Sequence, residues 1–168
     1  MRFVFNKDLK TTELEGEMPL LVHYGNDKYN KFLFRKIENI DFVKPNGGLW
    51  TSPIDSKYGW RHFIANNSEY SDFLEKRFFL SLKKTAKVLV INCYEDFIQL
   101  PVVISNKFYE SLDFELITEY YDAIWVTMKG LAETAHHRRN SRKGPIMPPN
   151  LWGWDVETVL LLNKDAIA

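Results

Sequence analysis

Two stretches of this 168-residue chain carry side chains whose types and spacing suit ligand chemistry. The first is Pro45-Asn46-Gly47-Gly48-Leu49-Trp50-Thr51-Ser52-Pro53, followed at once by Tyr58-Gly59-Trp60-Arg61. Paired glycines let the backbone take positive φ and approach a ligand closely. The hydroxyls of Thr51 and Ser52 and the flat faces of Trp50, Tyr58 and Trp60 then suit a pocket for a planar ring joined to a sugar. The second stretch is Trp154-Asp155-Val156-Glu157-Thr158, where two carboxylates lead into the apolar run Val159-Leu160-Leu161-Leu162. This second stretch is expected to complete the pocket.

Other reactive residue types are sparse. Cys93 is the single cysteine, so no disulfide forms within the chain, which fits a reducing compartment. It ends the apolar run Val88-Leu89-Val90-Ile91-Asn92 and reads as an inert core thiol rather than a nucleophile. The one strong charge run is His136-His137-Arg138-Arg139-Asn140-Ser141-Arg142-Lys143-Gly144. Its histidines lack the cysteines or spaced acids of a metal site, so no metal is expected. The run is either a solvated loop or a contact for a phosphate-bearing or acidic target through Arg138, Arg139, Arg142 and Lys143.

Elements that would position these groups follow from the apolar patterning. Strands are expected at 2–5, 20–23, 48–52, 88–92, 124–127 and 158–162. Helices are expected over 27–37, from Tyr29, Phe32, Leu33 and Ile37, and over 69–84, from Tyr70, Phe73, Leu74, Phe78 and Leu82. A third helix is expected over 112–121. No regular βαβ alternation and no glycine-rich phosphate loop occurs, which disfavours a dinucleotide-binding dehydrogenase and a P-loop kinase. The expected class is α+β, with a small split, mainly antiparallel sheet and flanking helices, built as one domain over 1–168.

Bulk properties narrow the function classes. With 45% hydrophobic and 26% charged residues the chain is globular in composition. Its 22 basic and 22 acidic residues cancel, so no whole-protein field drives binding to nucleic acid or to a membrane, and electrostatic specificity must be local. The amino-terminal residues turn polar too early for a signal peptide, and no run approaches the roughly 20 apolar residues of a membrane span. A cytoplasmic protein is expected.

His23 at the end of one strand, the Gly48-Leu49-Trp50-Thr51-Ser52 strand and Glu157 before a late strand stand in an order that resembles the ADP-ribosyltransferase superfamily, in its His–Tyr–Glu branch of diphtheria-toxin-like and poly(ADP-ribose)-polymerase-like enzymes. The resemblance spans about residues 20–163. It implies NAD as substrate, cleavage of the nicotinamide–ribose bond and modification of a macromolecular acceptor, protein or nucleic acid, by a toxin or effector of bacterial or phage type. On this resemblance His23, Tyr24 and Gly25 bind the adenosine ribose and amide side of NAD. Gly48, Leu49, Trp50, Thr51, Ser52, Tyr58 and Trp60 form the nicotinamide pocket, and Glu157 is catalytic. Asp155 and the basic residues Arg138, Arg139, Arg142 and Lys143, on the loop before the catalytic strand, face the acceptor. The sequence departs from the family where Tyr24 separates His23 from Gly25 and where a tryptophan replaces the stacking tyrosine. For each residue a structural role stands beside the functional one: His23, Trp50 and Trp60 as core, Glu157 as a strand-edge residue, Asp155 as a turn residue. The rival functions are NAD hydrolysis without transfer, a non-catalytic NAD- or ADP-ribose-binding domain, and a nucleic-acid-binding module working through the loop 136–144.

Overall fold

The apolar runs of the sequence form the centre of a sheet covered on both sides. The computed structural model describes residues 2–6, 11–40, 44–104, 110–135 and 148–168. Three strands, β7 (Val88–Ile91), β10 (Ala123–Val126) and β11 (Thr158–Leu161), are buried along their whole length. Strands wetted on one face alternate in polarity, whereas strands covered on both faces read as continuous apolar runs. The others are β1 (Arg2–Asn6), β2 (Thr11–Glu15), β3 (Leu21–Tyr24), β4 (Arg35–Glu38), β5 (Asn46–Pro53) and β6 (Arg77–Leu80). Their order is β1-β2-β7-β10-β11-β5-β3-β6, with β4 also pairing with β5. Every pairing is antiparallel except that of β7 with β10. A separate hairpin joins β8 (Val102–Ile104) to β9 (Glu110–Leu112). The class is α+β with a mainly antiparallel sheet, and the helices are short: α1 (Trp60–Ala65), α2 (Tyr94–Ile98), α3 (Phe114–Ile117) and α4 (Met128–Thr134).

One face of the sheet presents Leu89, Ile91, Ile124, Val126 and Leu160 to Phe97, Phe114, Leu131 and Trp154. The other presents Val88, Val90, Ala123, Trp125, Val159 and Leu161 alongside Leu21, Leu49, Phe78 and Leu80. Among the described residues, no helix is long and apolar enough to cross a membrane.

The sheet forks along one edge of β5. Its first part pairs with β4, Arg35 opposite Gly48, and its last part with β3, Val22 opposite Ser52 and Leu21 opposite Pro53. Gly47 and Gly48 both have positive φ, +88° and +67°. A Cβ on Gly47 would lie 2.0 Å from the Lys36 carbonyl oxygen, and one on Gly48 would lie 2.6 Å from Leu160 Cδ1. The glycine pair therefore serves the close approach of β4 and β11 to β5. The expected approach to a ligand is replaced by an approach to neighbouring strands.

Three expected helices need correction. Over 27–37 the chain forms a single 3-10 turn, Lys31–Leu33, and then β4. The helical spacing of Tyr29, Phe32, Leu33 and Ile37 is not a buried stripe, since Phe32 is 78% exposed. Over 69–84 a 3-10 turn, Ser68–Leu74, is followed by β6. There Phe78 and Leu80 are each 7% exposed while Phe79 between them is 50% exposed, a period of two that a helix template conceals. Over 112–121 the helix shrinks to α3, which the Asp113 carboxylate caps by accepting from Leu116 N at 3.0 Å.

Candidate functional site

The fork in the sheet creates a cavity. Past Val22, β3 leaves β5, and the ring of His23 fills the missing rung of the ladder. Its Nδ1 lies 2.8 Å from the Trp50 carbonyl oxygen. A carbonyl only accepts, so Nδ1 carries the proton and Nε2 keeps a lone pair. Nε2 accepts from Asn26 Nδ2 at 3.1 Å, and the ring lies 4.9 Å from that of Phe78. Burial pushes the His23 pKa down, partly offset by the hydrogen bond to the Trp50 carbonyl, and this holds the imidazole neutral.

Beside this histidine opens a cavity of about 400 Å³, lined by His23, Tyr24, Lys44, Trp50, Trp60 and Asp155, with Phe63, Ile64, Tyr70 and Phe73 completing its wall. The tryptophans form a corner: the Trp50 and Trp60 ring centroids are 6.4 Å apart and their planes 87° apart. Trp50 is braced from behind by buried Trp154 at 5.0 Å, and its Nε1 donates to the Gly47 carbonyl at 3.2 Å. Trp60 is placed by its backbone, whose N–H donates to Ser52 Oγ at 3.2 Å. Gly59 permits that approach, because a Cβ there would lie 2.8 Å from Ser52 Oγ. The Trp60 indole N–H is buried with no acceptor among the described residues. Burial raises the pKa of Tyr24, countered in part by Arg77 and Arg61.

The charged groups of the wall are Lys44 and Asp155. Lys44 Nζ lies 2.8 Å from Asp155 Oδ2, and 5.7 Å and 5.8 Å from the ring centroids of Trp50 and Trp60. Ammonium–aromatic contacts of this kind are worth roughly 0.5–2 kcal/mol each, and a part-exposed ion pair at most about 1 kcal/mol. Asp155 sits at φ +57° and ψ −46°, and Val156 N donates to the Trp154 carbonyl across it at 2.6 Å. That is a γ-turn centred on a non-glycine residue, a conformation that costs on the order of 1–3 kcal/mol and concentrates at functional sites.

Glu157 lies elsewhere. It lines a second cavity of about 450 Å³ with Pro19, Pro53, Asp55, Ser56, Lys57, Tyr58, Trp125 and Met128. Its Oε2 accepts from Ser56 Oγ at 2.6 Å and its Oε1 from Trp125 Nε1 at 2.9 Å, while its backbone N–H donates to the Tyr58 carbonyl at 3.0 Å. The structure thus brings His23, Tyr24, Trp50, Trp60 and Asp155 to one cavity and Tyr58 and Glu157 to another. Gly48 and Leu49 are buried in the core, and Thr51 donates to the Val159 carbonyl at 2.7 Å. Ser52 acts behind Trp60. Gly25, at φ +101°, donates its N–H to the Lys76 carbonyl at 2.7 Å, which ties the end of β3 to the approach of β6. Arg138, Arg139, Arg142 and Lys143 lie outside the described residues.

Sequence reasoning missed Lys44, Phe63, Ile64, Tyr70 and Phe73 at the ring cavity. Phe63 had a signal, one helical turn after Trp60, whereas Lys44 had none beyond its place just before Pro45. Cys93 is a poor nucleophile, its thiol pushed up to about 11 chiefly by burial. No cluster of three or more His, Cys, Asp or Glu side chains suits a metal ion among the described residues. Set beside known proteins, this chain matches no family model, no curated protein and no solved structure.

Proposed function

We propose that this protein binds NAD at the forked sheet, cleaves its nicotinamide–ribose bond and transfers ADP-ribose to a macromolecular acceptor. The observation that carries the reading is the gathering of a neutral histidine, two perpendicular tryptophans and a carboxylate around one cavity of about 400 Å³. The strand that Glu157 precedes and those bearing Trp50 and His23 are also neighbours, in the order β11-β5-β3, which suits the ADP-ribosyltransferase-like fold expected from the resemblance. Cleavage leaves an oxocarbenium-like ribose, so the site must place negative charge where positive charge develops. Asp155 is the carboxylate on this wall. It takes that role in the proposal, in place of the Glu157 expected from the resemblance. Nε2 of His23, released from Asn26, accepts from a ribose hydroxyl, and the tryptophans take the flat faces of the nicotinamide.

The test is nicotinamide release from NAD in cell lysate, with label followed onto protein and nucleic acid. Asp155→Asn is expected to lower turnover by about two to three orders of magnitude, a loss of roughly 3–4 kcal/mol of transition-state stabilisation. Glu157→Gln is expected to cost less, through looser packing against Ser56 and Trp125. A reversed order would return the role to Glu157.

A second reading, a non-catalytic NAD- or ADP-ribose-binding domain, is favoured by one observation: both oxygens of Glu157 are already hydrogen-bonded, away from the ring cavity. Ligand binding without nicotinamide release under any acceptor condition would establish it.

A further inference from the structure

We propose that the Lys44 ammonium is a built-in occupant of the ring cavity, and that Trp50, Trp60 and Asp155 make the site selective for flat organic cations that displace it. The proposal rests on the reading of the cavity as a ring site and specifies the charge of the ring that it takes.

Three observations carry it. First, the ammonium stands within 5.8 Å of both tryptophan centroids, in the corner made by rings 87° apart. That is the placement of a cation in an aromatic cage. Second, both indoles have neighbours other than Lys44: Trp50 packs on Trp154 and donates to the Gly47 carbonyl, and Trp60 packs edge-on against Phe63 with ring centroids 5.6 Å apart. The cage therefore stands without the lysine. Third, Asp155 reaches the ammonium from a γ-turn at positive φ, whereas a lysine needing only a solvated partner requires no strained backbone.

The charge balance gives the ligand class. His23 is held neutral, and Lys44 and Asp155 are the only Asp, Glu, Lys or Arg residues among the described lining residues. With Lys44 in place the wall is neutral. With Lys44 swung out to solvent, on a side chain already 32% exposed, the wall keeps one uncompensated carboxylate. A monocation with an aromatic face, such as an N-substituted pyridinium, replaces both the charge and the ring contacts of the ammonium. A neutral ring replaces only the contacts.

The experiment compares the affinities of 1-methylnicotinamide, a cation, and nicotinamide, its neutral counterpart, by quenching of tryptophan fluorescence. Lys44→Met is expected to raise the cation-to-neutral affinity ratio about tenfold, the equivalent of about 1.4 kcal/mol. Asp155→Asn should lower that ratio by a similar factor. Lys44→Arg, which keeps the charge, should raise it less than Lys44→Met does, and unchanged circular dichroism and melting of the three variants separate these changes from misfolding. A ratio that moves less than twofold in both Lys44→Met and Asp155→Asn overturns the proposal, and so does a failure of both rings to bind wild type and Lys44→Met. Nicotinamide release from NAD is scored separately. Charge selectivity without release upholds the cage while the enzymatic reading fails, and release with an unmoved ratio does the opposite.

Discussion

At the scale of single residues, His23 shows how a side chain can be structural and available at once. Its ring completes the hydrogen bonding of β5 where β3 departs, so it is anchored through Nδ1. Its other nitrogen is engaged only by an amide that a ligand hydroxyl can replace. Burial depresses its pKa below the ordinary value of 6.5, so the unfolded chain binds the proton more readily than the folded one. The stabilising contribution is therefore complete above about pH 6.5 and is lost as the pH falls through the lower, folded value. Wild type should lose more melting temperature than His23→Gln between pH 7.5 and pH 5. Equal losses in thermal melts of the two proteins would show that His23 carries no such linkage.

Among the elements, β6 backs the histidine side of the cavity. Pairing Val22 with Phe79 and His23 with Phe78 puts Phe78 under the histidine ring and leaves Phe79 outside. Truncating a buried phenylalanine costs roughly 3–5 kcal/mol, whereas surface substitutions mostly stay within about 0.5 kcal/mol. Phe78→Ala should accordingly lower the urea midpoint sharply, and Phe79→Ala should barely move it. Comparable losses at both positions would fit a helix buried all round rather than a strand. Gly47 and Gly48 work at the same scale: they bring β4 and β11 close to β5, and Trp50 reaches the cavity because the strand before it is packed that tightly.

For the molecule as a whole, the charges balance, so under the proposed function an acidic or phosphate-bearing acceptor would have to be chosen locally, and the proposal gives that role to the run at 136–144. Replacing Arg138, Arg139, Arg142 and Lys143 by Gln should abolish transfer to the acceptor yet spare NAD binding and hydrolysis. If the acceptor is a nucleic acid, its binding should weaken with salt at a log–log slope of about −0.7 to −0.9 per phosphate contact. Full transfer by the neutralised protein would make the run a solvated surface, and loss of NAD binding would put it at the ring cavity.

By itself the sequence determined the centre of the sheet. Val88–Ile91, Ala123–Val126 and Val159–Leu161 are apolar at every position, a pattern that suits a strand covered on both faces. It also singled out two aromatic residues of the cavity, Trp50 and Trp60, which sit beside a glycine pair and a glycine-started helix. The short elements at the rim escaped it. Residues 27–37 and 69–84 match a helical template locally, but β5 and β3 offer unpaired edges, and satisfying those backbone groups outweighs a weak local preference. Tertiary structure alone decided which carboxylate meets the ring cavity. Asp155 and Glu157 are two residues apart, and an extended chain would aim both the same way. The γ-turn at Asp155 breaks that alternation: it sends Asp155 to Lys44 and the tryptophans and leaves Glu157 to Ser56 and Trp125. A turn of this kind is held by the packing of Trp154 and the start of β11, contacts between residues far apart in the chain, and periodicity in the sequence carries no trace of it.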